Sequence, residues 1–162
     1  MRRRWFVAAW ISAMVAGGPA FACRAPLAIR LEDVARADLV VVGRVTQYEV
    51  VRKPSLLPGE RPGTLSDHAT FLVRTEEVLA GQAPARLAVR WDNSTFAEPD
   101  ALPEGPFLIA LSRPTGAASN PEAYTLFQAA CSDPFLFEAA SDRARAVREI
   151  LARNHKTDGE KR

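Results

Sequence analysis

Cysteine and histidine are the side chains in this sequence best suited to nucleophilic, acid–base or metal chemistry, and the chain has two of each. Cys23 and Cys131 lie towards opposite ends, His68 opens an apolar stretch, and His155 lies near the C-terminus. A Ser-His-Asp or Cys-His arrangement requires a histidine beside the nucleophile, and a structural zinc site requires about four Cys or His ligands. No local motif meets either requirement. We therefore expect a protein without catalysis, cofactor or intrinsic metal, and keep a hydrolase with His68 as base as an alternative.

The first 22 residues have the pattern of a secretory signal peptide. Residues 2–4 are arginines, Trp5–Ala16 is apolar, and Ala20-Phe21-Ala22 is a small-x-small cleavage site. The apolar part is shorter than the roughly 20 residues that a spanning helix needs. We expect cleavage after Ala22, which makes Cys23 the first residue of an exported chain, periplasmic or secreted.

The two cysteines are therefore expected in an oxidising compartment. An even number of cysteines in an exported chain predicts a disulfide, here between Cys23 and Cys131. The bond would tie the N-terminus to the far end of the domain. Lipidation of Cys23 is the less favoured alternative, because the lipoprotein pathway prefers an aliphatic residue where Ala20 stands and a small one where Phe21 stands.

A free terminus at Cys23 would itself carry latent chemistry. Its α-amino nitrogen and its carbonyl oxygen are lone-pair donors that close a five-membered ring on a metal ion, and a disulfide would hold them rigidly. The alternative is an ordinary N-terminus without a ligand. No metal site is predicted from side chains.

The charge balance excludes some partners. Three of the 21 basic residues belong to the signal segment. The basic residues that remain almost balance the 19 acidic residues, so the exported part is nearly neutral. No basic block of the kind that nucleic acid requires is present. No stretch after residue 22 is long and apolar enough to span a membrane, so we expect no transmembrane segment and a soluble exported chain.

The stretch Leu39–Val51 is the longest β-branched run of the chain, and the fold prediction is built on it. Leu39–Val42 is a solid apolar block, typical of a strand buried on both faces, and alternation begins after Gly43. A strand that shows both patterns, with glycine where they change, indicates a long strand that bends and closes a barrel.

The remaining pattern predicts helix, five strands and helix, without βαβ alternation. The predicted helices are Leu31–Ala37 and Ser141–Asn154, with Ser141 as N-cap, and the predicted strands are Leu39–Val51, His68–Val78, Arg86–Trp91, Pro106–Arg113 and Ala123–Ala129. The last two strands should form a hairpin. Residues 52–67, rich in Pro and Gly, are predicted as a long loop, and His155–Arg162 as a disordered tail. This order favours a mainly β fold, a small closed antiparallel barrel flanked by helices, in one domain over residues 23–154.

Several of these segments resemble bacterial secreted proteins related to tissue inhibitors of metalloproteinases. Cys23-Arg24-Ala25-Pro26, the short helix and Ala37–Val45 are similar to the opening of those proteins. Ala69–Gly81 is similar to their second strand and turn, and Pro106–Leu111 with Tyr124–Ser132 to their last hairpin and terminal cysteine. The resemblance implies a netrin-like fold, which is a five-stranded OB-type barrel with flanking helices.

The resemblance also implies a function for the N-terminus. In the animal inhibitors the first cysteine chelates the zinc of the target protease, and Cys23 matches that residue. Arg24 and Ala25 would then be target-binding residues; Ala25 stands where the family usually has a second cysteine. We therefore expect an exported, non-enzymatic module that binds a protein, with a metalloprotease as the implied partner.

Two alternatives stay open at this point. One is a protein of the cell envelope that binds an oligosaccharide or another ligand, as OB-folds can, with Tyr48, Trp91 and Tyr124 as stacking surfaces. The other is a structural or assembly factor of the envelope.

Overall fold

Six β-strands and two helices make up the described part of the chain. The computed structural model describes residues 27–51, 68–92, 99–114, 123–129 and 132–160, with side chains up to Asn154. The elements are a 3₁₀ helix (Leu31–Arg36), β1 (Leu39–Val51), β2 (His68–Ala80), β3 (Arg86–Asp92), β4 (Pro106–Ser112), β5 (Ala123–Leu126), β6 (Leu136–Glu138) and α1 (Asp142–Glu160).

Five of the strands close into a ring. β1 pairs with both β2 and β4, β2 pairs with β3, and β5 joins β3 to β4. All of these pairs are antiparallel except β3–β5, which is parallel. The predicted mainly β class with a C-terminal helix is confirmed, whereas the expectation of a wholly antiparallel sheet is wrong at the β3–β5 pair.

The apolar block of β1 lies between two cores, as its sequence predicts. Leu39 and Val41 face the inside of the ring, and Val40 and Val42 face the helices on its outside. β4 has the same double burial, with Ile109 inside and Leu108 outside. Side chains alternate between the two faces of a strand, so one continuous apolar run contributes to both cores at once.

Gly43 is needed for a close approach between β1 and β2. A Cβ atom at this position would lie 2.5 Å from the carbonyl oxygen of Arg74 and 2.7 Å from Cγ1 of Val73. The β1–β2 ladder shifts register between Val42 and Gly43, where the hydrophobic pattern of β1 also changes. Gly43 therefore lies where the pattern changes, as predicted, at a position with no room for a side chain.

The outer core joins the sheet to both helices. The buried stripe predicted for α1, Ala144, Val147, Ile150 and Leu151, packs there with Val34 of the 3₁₀ helix. Ser141 caps α1 as predicted, because its Oγ accepts a hydrogen bond from the backbone N–H of Ala144 at 3.2 Å.

The structure differs from the predicted elements in several places, and β2, β3 and β4 end within two residues of their predicted ends. The N-terminal helix is a 3₁₀ helix, closed by the N–H of Ala37 donating to the carbonyl of Val34, and β5 ends at Leu126. α1 continues to Glu160, so the predicted helix end at Asn154 is wrong; no apolar residue marks the last turns, and propagation of an existing helix needs none. β6 is an additional strand of three residues, too short to give a periodic pattern.

A bidentate ion pair links α1 to β2. Nη1 and Nη2 of Arg148 donate to the two carboxylate oxygens of Glu77 at 2.9 and 2.7 Å. These hydrogen bonds, with the charge of Arg148, lower the pKa of Glu77, against a smaller opposing effect of burial. A lowered folded-state pKa means that the pair stabilises the fold above the ordinary carboxyl value of 4.5, and that this contribution is lost as the pH falls through the lowered value.

We therefore expect Glu77→Gln to lower the free energy of unfolding at pH 7 by less than about 1 kcal/mol, since both side chains are more than a third exposed. As the pH falls below 4.5, the difference between the variant and the parent chain should shrink, because protonation of the Glu77 carboxylate removes the ion pair. Urea unfolding between pH 7 and pH 3 measures this difference. Arg148→Gln should show the same dependence, and a difference that stays constant with pH would contradict the assignment.

Candidate functional site

The residues predicted to act, Cys23, Arg24, Ala25 and Cys131, lie outside the described residues, as do the signal segment and the 52–67 loop. The structure does place the described residues that follow the two cysteines. Leu27 and Ser132 form a parallel β-bridge. The two segments that carry the cysteines therefore run side by side where the described chain begins.

This bridge keeps the predicted disulfide within reach. Cys131 directly precedes Ser132, and four residues separate Cys23 from Leu27. Four extended residues span at most about 14 Å. The Cα atoms of Cys23 and Leu27 can therefore be no farther apart than this. Bridged cysteines need Cα atoms about 4.4–6.8 Å apart, a separation that this tether allows.

Ser132 belongs to a tightly bonded turn. Its hydroxyl lies within hydrogen-bonding distance of the carbonyl oxygens of Ala129 and Asp133, at 3.1 and 3.0 Å. The side-chain amide of Gln128 donates to the carbonyl of Ser132 at 2.6 Å, and Gln128 also bridges Pro134. Leu27 therefore pairs with a well-braced piece of backbone.

An apolar groove of about 560 Å³ begins directly beyond this turn. It lies between the end of β3, the start of β4, the segment that enters β6 and the start of α1. Its apolar lining is Trp91, Pro99, Leu102, Pro103, Phe107, Pro134, Leu136 and Phe137, and its polar lining is Asp133, Glu138, Ser141 and Arg143. The volume falls in the range of ligand and side-chain pockets, about 300–1,000 Å³.

The polar groups of the groove carry both signs of charge. The guanidinium carbon of Arg143 lies 5.9 Å from the ring centroid of Phe137, and its Nη1 lies 3.9 Å from Oδ2 of Asp133. An apolar floor with a charged rim suits an apolar or aromatic side chain of a binding partner. Sequence reasoning missed this groove, because its residues come from four separate segments whose only common signal is aromatic content.

The described residues contain no cluster of metal-ligating side chains. No group of three or more His, Cys, Asp or Glu residues in the described ranges could hold a metal ion. His68 is 9% exposed, and its Nδ1 has no hydrogen-bond partner among the residues that the structure describes. A base must be hydrogen-bonded to its nucleophile or to an orienting group, so the geometry at His68 gives the hydrolase alternative no support.

The three aromatic residues considered for ligand stacking all pack against the inner core. Trp91 is 8% exposed, and Tyr124 is half-buried. Tyr48 is also half-buried; its ring lies 5.9 Å from that of Phe71, and its hydroxyl donates to the carbonyl of Pro99 at 2.8 Å. These rings support the fold, and they offer no common stacking surface.

No protein-family model matches this sequence, and no curated protein matches it. Within the described ranges, no helix combines the length and the apolar character that crossing a membrane requires. A function for this chain must therefore be inferred from its own residues and their positions.

Proposed function

We propose that this chain is an exported, non-enzymatic binding module with an OB-type barrel, and that it binds a protein partner through its N-terminal segment and the adjoining groove. Support for the barrel type is the five-membered strand ring, in which the first strand pairs with both the second and the fourth. OB-folds are five-stranded barrels that carry binding sites on one face and its loops.

One observation carries the proposal. The Leu27–Ser132 bridge fixes the start of the described chain beside the turn from which Asp133 and Pro134 enter the groove. A partner that contacts the N-terminal segment would therefore also reach an apolar pocket. Interfaces gain most of their affinity from a few buried anchors in such pockets.

The partner class is the one that the resemblance to metalloproteinase inhibitors implies, and the terminal atoms are compatible with it. A catalytic zinc ion has three protein ligands and one position for water or substrate, and it can expand to five-coordinate. The α-amino nitrogen and carbonyl oxygen of Cys23 would displace the water and bind as two ligands of a five-coordinate zinc. Arg24 and Ala25 would then lie along the substrate cleft of the enzyme. A zinc metalloprotease is the partner class that this chemistry fits.

The test uses the exported chain, residues 23–162, against a panel of zinc metalloproteases. We expect inhibition of at least one of them, lost when a single alanine precedes Cys23, because the amide so formed cannot donate its nitrogen lone pair to zinc. The control carries the same alanine after Arg162 and should inhibit fully. No inhibition by the native terminus, or equal inhibition by both extended chains, would contradict the chelation mechanism.

A second candidate function uses the groove alone, as a site for a small apolar ligand of the envelope, which its volume would admit. Trp91 lines the groove, and the other two tryptophans of the chain lie in the signal segment, so the fluorescence of the exported chain reports on this one residue. A ligand that shifts this emission equally in the native and the N-terminally extended chain would favour the second function over the first.

A further inference from the structure

Three arginines lie in one row across three neighbouring strands. Arg44 of β1 is directly opposite Arg74 of β2, and Arg74 is directly opposite Arg86 of β3. Their neighbours Val73 and Leu87 point into the ring core, so the row lies on the outer face of the sheet. Adjacent strands are about 4.8 Å apart, so the three Cα atoms span only about 10 Å.

This arrangement lacks compensating negative charge. Like charges directly opposite each other on a sheet are destabilising. Glu76 lies 2.8 Å from Nε of Arg44 and 3.5 Å from Nη2 of Arg74. No ion pair to Arg86 occurs in the part of the chain that the structure describes. Among the described residues, Arg44 and Arg74 therefore share one carboxylate, and Arg86 has no ion pair.

A backbone irregularity opens a cleft beside the row. Gln47 has a φ of 54°, a left-handed conformation that is uncommon for residues other than glycine, and the β1–β2 ladder shifts register between Thr46 and Glu49. The cleft has a volume of about 440 Å³ and is lined by Arg44, Thr46, Gln47, Leu72, Val73, Arg74 and Arg86. Backbone strain of this kind persists where the surrounding structure holds it, often at binding sites.

We propose that this cleft binds a tetrahedral oxyanion, the phosphate or sulfate group of a small ligand. Guanidinium groups donate paired hydrogen bonds that match the oxygens of such anions. The hydroxyl of Thr46 and the amide of Gln47 are neutral donors on the same wall. A dianion would supply the negative charge that the row lacks. It would contact Arg86, which has no ion pair among the described residues, and Arg74, which Glu76 also contacts.

The lining distinguishes this ligand from a nucleic acid. Single-stranded nucleic acids bind on surfaces that combine basic residues with exposed aromatic rings, and no aromatic residue lines this cleft. The cleft shares no residue with the groove proposed for the protein partner. The two proposals can therefore fail independently.

The test is calorimetric titration of the exported chain with inorganic phosphate and with sulfate, at constant ionic strength. We expect saturable binding of either dianion, weakened at least about tenfold by Arg86→Gln, because a hydrogen bond to a charged group contributes at least that factor. Arg90→Gln is the matched control. Arg90 lies on the same strand and face but pairs with Asp92 outside the row, so its loss should leave binding unchanged.

Unfolding measurements distinguish a loss of anion binding from a folding defect of the variant. Arg86 is exposed, so Arg86→Gln should fold and, without ligand, should be at least as stable as the parent chain. Phosphate should raise the Tm of the parent chain and of Arg90→Gln but not that of Arg86→Gln. Equal weakening by both variants, binding of chloride as strong as that of phosphate, or binding confined to polymeric sulfates or anionic vesicles would overturn the proposal.

Discussion

Cys131→Ser should lower the free energy of unfolding of the exported chain by about 4–5 kcal/mol, the chain-entropy value for a disulfide that closes a loop of roughly a hundred residues. The expectation rests on the Leu27–Ser132 bridge, which brings together the segments that carry the two cysteines. A covalent link between them would restrict almost the whole unfolded chain. It would also hold the predicted N-terminus beside the groove.

Urea unfolding with and without a reductant measures this contribution. Reduction should bring the parent chain to the stability of Cys131→Ser, and the variant itself should not respond to the reductant. The double variant Cys23→Ser/Cys131→Ser should match the single one, because either substitution removes the same bond. Two titratable thiols in the oxidised, folded parent chain would contradict the pairing.

Intact-mass measurement of exported material complements this experiment. Cleavage after Ala22 with a disulfide gives the mass of residues 23–162 less two hydrogens. Lipidation would occupy the sulfur of Cys23, add the mass of the acyl groups and leave Cys131 as a free thiol. The two predictions about the terminus, its position and its oxidation state, are thus read from one spectrum.

Local pattern was sufficient to predict the elements that close the ring. The apolar block Leu39–Val42 predicted burial on both faces of β1, and the structure confirms this because one face meets the ring core and the other meets α1. Gly43 was predictable as a position of changed strand geometry, because the hydrophobic pattern of β1 changes there. The bounds of β1 agree with the prediction at both ends.

Pairings between distant segments could not be predicted in this way. The parallel β3–β5 pair joins Ala88–Arg90 to Ala123–Thr125, and no local pattern specifies which edge a short strand will join. The groove and the arginine row depend on the same information. Arg44, Arg74 and Arg86 are unremarkable in sequence, and only the register of two ladders aligns them.

The candidate N-terminal site has the opposite character. The terminal position of Cys23 was predicted from the cleavage pattern, and the target-binding roles of Cys23, Arg24 and Ala25 are what the family resemblance implies. The structure adds a braced turn at Ser132 and an apolar groove beyond it. The chemistry of the N-terminal site is thus inferred from the sequence, whereas the Leu27–Ser132 bridge is known only from the structure.

Phe135 is the residue on which the packing beside this bridge depends most. It is fully buried in the outer core, between the rings of Phe127 and Phe137 at 5.5 and 5.7 Å. Its N–H donates to the carbonyl of Phe127 at 3.0 Å, and its carbonyl accepts from the N–H of Ala110 at 3.0 Å. One residue therefore connects β4, the end of β5 and the approach to β6.

Phe135→Ala should lower the free energy of unfolding by about 3–5 kcal/mol, because it removes a buried ring and leaves a cavity that the bonded backbone cannot close. Phe135→Leu keeps most of the apolar volume and should lose much less. Leu27→Ala is the exposed control, with an expected change within about 0.5 kcal/mol. Urea unfolding should be followed by Trp91 fluorescence, which reports on the inner core, and by far-ultraviolet circular dichroism. Both probes should give the same lowered midpoint, because β1 and β4 belong to both cores. A loss below about 1 kcal/mol, or a helical signal that melts while Trp91 stays buried, would show that the outer core does not support the ring.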